Sequence, residues 1–300
     1  MRLLVLGAGG QLGRDILARA EGHGVIAEGV GHAQCDVASV GQVRDLLQKV
    51  SCDAVINAAA YTKVDQAETD EELADRVNRV GAGVVAEQCR DKALPLLHVS
   101  TDYVFDGNAT VPYSHLAEVS PQSVYGSTKA EGERLVLETH PGAAVVRTSW
   151  LFGEHGPNFV KTMVRLAFER ETLRVVHDQV GCPTWAGGLA DALLIMATKT
   201  VSGDAKATGI YHYCGAPQAS WYEFARYVID EAAKYDKPKV RELLPITTDK
   251  YPTPATRPMY SVLDCFRIEK EFGVVPGDWR HGARKVVKAA MVARTEGLVS

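Results

Sequence analysis

The sequence has no long apolar run, no closely spaced cysteines, no block of like charge and no repeat. No stretch of about 18 uninterrupted apolar residues occurs, so no segment is expected to cross a bilayer. The first apolar run, Leu3 to Leu6, follows a single basic residue and is too short for a secretory signal core. The six cysteines (Cys35, Cys52, Cys89, Cys182, Cys214 and Cys265) are scattered and form no Cys-x-x-Cys pair. That spacing argues against a zinc site, and free thiols in a reducing cytoplasm are expected. Basic residues number 33 against 37 acidic ones, a formal net charge of −4 with no basic stretch. Nucleic acid is therefore not an expected partner. What remains is an ordinary globular composition, 46% hydrophobic and 23% charged over 300 residues. That length buries a large core and suggests roughly two domains.

The most informative stretch is Tyr125-Gly126-Ser127-Thr128-Lys129, which continues into a helical pattern. Four residues are about one helical turn, so Tyr125 and Lys129 share a face. A phenol titrates near 10 in isolation, and a neighbouring ammonium favours its ionised form. Such a pair can pass a proton to or from a substrate oxygen. The spacing alone is weak, since two residues on a solvated helix face give the same pattern. Two other features strengthen it: a glycine loop after the first strand, and Ser100-Thr101-Asp102 after a later one.

Residues 2–6 read as a buried parallel strand ended by Gly7. The loop Gly7-Ala-Gly9-Gly10-Gln11-Leu12-Gly13 then opens a helix to about Glu21. Its glycines permit a tight turn and let backbone approach a pyrophosphate at the helix N-terminus. Gly7, Gly10, Gln11, Leu12 and Gly13 are therefore candidate cofactor contacts. A second strand, 25–28, offers Glu28 as the only nearby acid, with Gly29 after it. Asp36 reads equally as a turn or cap carboxylate and as a contact near an adenine, with Ser39 capping a helix to about Val50. The strand 53–57 delivers Ala58, Ala59 and Ala60, small enough to admit a cofactor backbone. A long helix spans about 70–91, and its Asn78 reads as exposed or bonded to neighbours. The strand 94–99 delivers Thr101, Asp102 and Tyr103 to the sheet edge where open α/β folds bind ligands. Thr101 is placed to hydrogen-bond a reacting carbonyl; capping of the strand end is the alternative.

The repeated strand–helix rhythm implies a doubly wound, Rossmann-type parallel α/β sheet. Residues 1–150 are expected to form the dinucleotide-binding domain. Residues 151–300 are expected to be mainly a smaller, mixed α/β substrate-binding portion, with some segments returning to the sheet. There helices are expected at 157–170, 186–199 and 219–235, and short strands near 173–176 and 209–213. Residues 236–262, with five prolines, read as irregular.

The glycine loop, Val55-Ile-Asn57-Ala-Ala-Ala60-Tyr-Thr, Ser100-Thr-Asp-Tyr-Val-Phe-Asp-Gly107 and Tyr125-x-x-x-Lys129 together resemble the extended short-chain dehydrogenase/reductases. The likeness continues through Arg147-Thr-Ser-Trp150, Asp178-Gln-x-Gly-x-Pro-Thr184 and Tyr251-Pro-Thr-Pro-Ala-x-Arg257-Pro258, and so covers essentially the whole chain. The resemblance implies NADPH-dependent reduction, with NADH also accepted. The implied reaction takes the C4 keto group of dTDP-6-deoxy-L-lyxo-4-hexulose to dTDP-L-rhamnose, for cell-surface polysaccharide. By the family pattern Tyr125 donates the proton, Lys129 is its partner and cofactor-ribose ligand, and Thr101 is the third catalytic group. The nucleotide sugar is expected against Thr101, Asp102, Tyr103, Trp150, Thr184 and Arg257, with Arg257 clamping the diphosphate or, alternatively, held in a surface salt bridge. A dehydratase of this family places Asp-Glu after the Thr; this chain has Asp102-Tyr103. An epimerase and a non-catalytic regulatory subunit are the other readings, and retention of Thr101, Tyr125 and Lys129 disfavours the latter. Magnesium at a dimer contact is associated with the family. Here Gly187-Gly188 stands where a carboxylate is expected, and Asp15 is the only acid in the first helix before Glu21, so no metal-bridged dimer is expected. Monomer and homodimer both remain open.

Overall fold

The computed structural model describes residues 1–296. Its first half alternates strand and helix. The order is β1 (Arg2–Leu6), α1 (Gln11–Ala20), β2 (Ile26–Val30), α2 (Val40–Lys49), β3 (Ala54–Asn57), α3 (Val64–Ala67) and α4 (Glu71–Asp75). A π turn at Arg76–Val80 leads into α5 (Gly81–Asp91), β4 (Leu96–Thr101), α6 (Val124–Thr139) and β5 (Ala144–Thr148). Apolar residues fill β1, β3 and β5 on both faces because helices cover both sides of the sheet. Within β1, Leu3 and Val5 face one core cluster, with Leu12 and Ile16 of α1. Leu4 and Leu6 face the other, with Val43 of α2 and Val85 of α5.

After β5 come β6 (Leu151–Phe152), α7 (Phe159–Glu169), β7 (Thr172–Val176), β8 (Val180–Gly181), β9 (Thr184–Trp185), α8 (Ala186–Ser202) and β10 (Gly209–His212). Then follow β11 (Ala219–Ser220), α9 (Trp221–Ala232), β12 (Glu242–Ile246), α10 (Phe266–Phe272) and α11 (Trp279–Thr295). The central sheet has six strands in the order β10-β5-β4-β3-β1-β2, all parallel. β10 thus comes from the second half of the chain, and α8 buries Leu189, Ala190 and Leu193 in the same core as α1. A separate core gathers Phe152, Val164, Phe224, Trp279 and Val286 from β6, α7, α9 and α11.

Three local expectations shift. The second strand begins at Ile26 and runs on to Val30, so Glu28 lies within it rather than near its end. The stretch read as irregular contains β12, paired in parallel with β7 and carrying Pro245 opposite Val175. A two-stranded ladder has only edge strands, where the missing proline N–H is tolerated. The closing helices α10 and α11 lie beyond the segments anticipated from sequence.

Candidate active site

The loop before α6 places the Tyr125 face. Ser123 caps α6 by accepting from the Gly126 N–H at 3.1 Å, and Glu68 accepts from the Val124 N–H at 2.9 Å. A Cβ on Gly126 would lie 2.2 Å from the Tyr103 carbonyl oxygen. Glycine beside Tyr125 therefore lets α6 close onto the end of β4. Tyr125 and Lys129 are both buried there, the latter only 1% exposed. Thr101, on the last residue of β4, accepts from the Tyr103 N–H and donates to Asp102 Oδ1 at 3.1 Å.

Burial pushes the Tyr125 phenol up to about 12, with the neighbouring Thr101 acting in the opposite direction. Burial likewise lowers the Lys129 amine to about 8, with the Glu133 charge acting in the opposite direction. The expected relation between the two is altered in one respect. The Lys129 amine turns to β4, donating to the Val99 carbonyl at 2.7 Å and meeting His98 Nε2 at 3.3 Å. Desolvation, not an adjacent ammonium, dominates the tyrosine, and it keeps Tyr125 protonated at neutral pH. That is the state a proton donor needs. Burial also raises Asp102 to about 6, with the Thr101 hydroxyl at its Oδ1 opposing the rise. Ser100 Oγ, Thr148 Oγ1 and Asp102 Oδ2 are buried without a partner at the same ends of β4 and β5.

The glycine loop and the strand ends form a cleft of about 390 Å³ lined by Gly7, Gly9, Gly10, Ala58, Ala59 and Ala60. Gly7 adopts a φ of 78°, and a Cβ on Gly13 would lie 2.4 Å from the Gly7 carbonyl oxygen. The close approach sets α1 on the loop with its first N–H groups toward the cleft, an arrangement that fits a dinucleotide pyrophosphate. Gln11 and Leu12 open α1; Leu12 is buried in the core, and Gln11 accepts from Asn158 at 2.9 Å. Asp36 bonds the Ala38 N–H and pairs with Arg76 of the π turn, beside cleft residues Cys35 and Val37.

The proposed substrate residues are less uniform. Tyr103 packs edge-on to Tyr125 at 5.5 Å between centroids, and the Arg257 guanidinium lies 6.0 Å from the Tyr103 ring. Arg257 pairs with Asp65 at 2.7 Å, which brings the proline-rich loop against the first half of the chain. Trp150 holds a φ of 45° and stacks on Trp221 at 3.6 Å. Thr184 is wholly buried; its hydroxyl donates to the Cys182 carbonyl and accepts from the Gly215 N–H. Its side chain is thus engaged with backbone rather than open to the cleft.

Asn78 departs from its sequence reading. It sits in the π turn at 1% exposure, accepts from the Tyr61 N–H at 2.8 Å and donates to Thr128 at 3.1 Å. It ties the loop after β3 to the N-terminal part of α6. His98 is also buried, between Asn57 and Lys129. The only signal for His98 was a titratable residue inside the otherwise apolar run Leu96-Leu97-His98-Val99.

Asp191, on α8, is engaged by Arg19 at 2.7 Å and His23 at 2.9 Å. No group of three or more His, Cys, Asp or Glu converges as a metal site among the described residues.

With this geometry in place, the comparisons are specific. The family model described as RmlD substrate binding domain matches residues 1–292. The dTDP-4-dehydrorhamnose reductase of Aggregatibacter actinomycetemcomitans is 44% identical over 292 residues, 95% of this chain and 98% of the relative. A crystal structure of a dTDP-4-dehydrorhamnose reductase from Clostridium acetobutylicum superposes with a TM-score of 0.87 at 36% identity, covering 96% of this chain and 99% of that one. A Bacillus anthracis dTDP-4-dehydrorhamnose reductase, solved in complex with NADP, gives 0.84 at 34% identity, covering 95% and 98%.

Proposed function

The chain belongs to the RmlD substrate binding domain family, and from that premise we propose that it reduces dTDP-4-dehydrorhamnose to dTDP-L-rhamnose with NADPH. One observation carries the chemistry: a buried, protonated tyrosine and a buried lysine one turn apart on α6, packed against the end of β4 in a chain that also forms a glycine-loop cleft. NADPH, when bound, supplies the hydride. Thr101 and Tyr125 stand at one strand end, where a C4 carbonyl oxygen would accept from both. As charge grows on that oxygen, Tyr125 gives up its proton. Lys129 in its ammonium form then offsets the charge left on the phenol. Asp102, Tyr103, Trp150 and Arg257 are the proposed sugar and diphosphate contacts, and Thr184 supports Trp150 through its N–H, 3.2 Å from the Trp150 carbonyl. The proposed division of labour puts the cofactor on residues 1–150 and the sugar nucleotide between them and the later portion.

Formation of dTDP-L-rhamnose is the proposed supply step for a cell-surface polysaccharide, a cytoplasmic task. Among the described residues no helix is long and apolar enough to cross a membrane. The test is NADPH oxidation on addition of dTDP-4-dehydrorhamnose, with the product identified by chromatography. Turnover of that sugar is the expected result. Turnover of only the unepimerised dTDP-4-keto-6-deoxyglucose would reassign the substrate, and no oxidation with either sugar would remove the proposal.

A further inference from the structure

His98 is a buried imidazole that the proposed reaction does not use, and it touches the lysine that the reaction does. Three hydrogen bonds decide where its proton sits. The Ala59 N–H donates to Asn57 Oδ1 at 3.1 Å, which fixes the orientation of the Asn57 amide. The Asn57 NH₂ then faces His98 Nδ1 at 3.2 Å and can only donate. Nδ1 is therefore the acceptor, and a neutral imidazole must carry its proton on Nε2. The ring is neutral, since burial and then the Lys129 charge hold its pKa well below the ordinary imidazole value. Nε2 lies 3.3 Å from Lys129 Nζ. An ammonium there would set donor against donor. An uncharged amine would instead accept from Nε2–H while donating to the Val99 carbonyl.

We propose that His98, locked by Asn57 with its proton on Nε2, is a positioning residue that biases Lys129 toward the uncharged amine in the free enzyme. The inference rests on Lys129 as the partner of Tyr125. The other groups facing Lys129 do not supply this bias. On its own helix Tyr125 is protonated, and Glu133, which favours the ammonium, is committed to Arg147 of β5. From the π turn, Asn78 carries no titratable group. From the end of β4, Thr101 and Asp102 bond each other.

The consequence is a pH dependence with a defined sign. Reduction requires the Lys129 ammonium beside the developing phenolate, so the rate falls on the alkaline side as Lys129 loses its proton. Removing the Nε2–H donor favours the ammonium and moves that limb upward. His98→Gln can turn its carbonyl oxygen to Lys129. Asn57→Leu leaves His98 in place but lets its proton move to Nδ1, exposing the Nε2 lone pair.

The experiment measures kcat/KM for NADPH against pH, which reports groups of the free enzyme, for wild type, His98→Gln and Asn57→Leu, with thermal melts as fold controls. The alkaline limb is expected to rise by about one pH unit in both variants. A limb unmoved in a folded variant overturns the proposal; mere structural damage lowers the plateau without moving the limb. Nitrogen-15 NMR of the wild-type protein gives a decision that no variant's folding can obscure. His98 must show its proton on Nε2, and a proton on Nδ1 overturns the assignment. Tyr125→Phe separates the two layers. If that variant keeps normal turnover, the catalytic reading itself fails. If it loses turnover while the limb in the other variants stays fixed, only the role of His98 fails.

Discussion

Lys129 and Arg257 are two cations near the end of β4, one bonded to the Val99 carbonyl and one 6.0 Å from the Tyr103 ring, and they are held in opposite ways. Lys129 is almost wholly buried, contacts a backbone carbonyl and an imidazole, and forms no ion pair with a carboxylate among the described residues. Arg257 lies on a proline-rich loop and pairs with Asp65, with side-chain exposures of 20% and 43%. Burial works against the Asp65 carboxylate, yet the Arg257 hydrogen bond and the Ala255 N–H together hold it below its ordinary range. Burial gives Lys129 a protonation state that its surroundings can tune, as a group serving proton transfer requires. The guanidinium gives Arg257 a planar fork of donors, as suits the diphosphate contact proposed for it. The contrast sets the proposed chemical region against the proposed binding region, and each substitution below tests one side of it.

The largest effect is expected behind Lys129. Glu133 and Arg147 form a buried pair at 2.6 Å, with side-chain exposures of 4% and 1%. Arg147→Met leaves the Glu133 charge unpaired in the core, and the expected destabilisation is about 3–5 kcal/mol. Urea unfolding measures it, and a loss under about 1 kcal/mol would show that the region relaxes enough to hydrate the carboxylate. Next in size is Tyr125→Phe, which removes the transferable proton and keeps the ring. Turnover is expected to fall by about 10²-fold or more. NADPH affinity, read by fluorescence titration, should stay close to that of wild type.

The same contrast describes what the sequence made legible. The buried strands β1, β3, β4 and β5 follow from short apolar runs ended by turns, and Tyr125-x-x-x-Lys129 follows from helical spacing. β2 was harder because it is an edge strand: Ile26 is 70% exposed, and its register comes from pairing with β1. Asn78 was opaque because its meaning lies in contacts with Tyr61 and Thr128, 17 and 50 residues away. His98 was opaque for the same reason. Its partners Asn57 and Lys129 meet it only once β3, β4 and α6 are assembled. Local pattern reveals elements and motifs. It does not reveal which lone pair faces which proton.

A smaller effect is expected on the binding side. Arg257→Gln removes the proposed diphosphate contact and an ion pair that is open to solvent. The KM for the sugar nucleotide is expected to rise by about tenfold, with kcat within about twofold. The melting temperature should hardly move, because exposed pairs contribute about 0–1 kcal/mol. An unchanged KM would place the diphosphate elsewhere. A large fall in kcat would mean that Arg257, through Tyr103, acts on Tyr125 and that the two regions are not separate.

The smallest expected effect concerns the choice between NADPH and NADH. An acidic side chain at the end of the second strand would bond both ribose hydroxyls of NADH and repel the 2′-phosphate of NADPH. Glu28 is exposed, but it lies inside β2, and its charge is felt at Cys52, just before β3 and away from the glycine loop. A Cβ on Gly29 would meet Leu17 at 2.6 Å and Ala8 at 2.8 Å, so that position faces α1 and cannot carry a carboxylate. Nothing at this strand end therefore rejects a phosphate. Strong attraction is also missing: the Arg76 guanidinium is occupied by Asp36, and exposed His32 is the remaining group at the cleft edge. Both cofactors are expected to work, with NADPH preferred by about 1–2 kcal/mol or less, the scale of one exposed phosphate contact. The measurement is kcat/KM for each cofactor at saturating keto-sugar. Preference for NADH by more than about a hundredfold, some 2.7 kcal/mol in the opposite direction, would mean that Glu28 does reach the ribose.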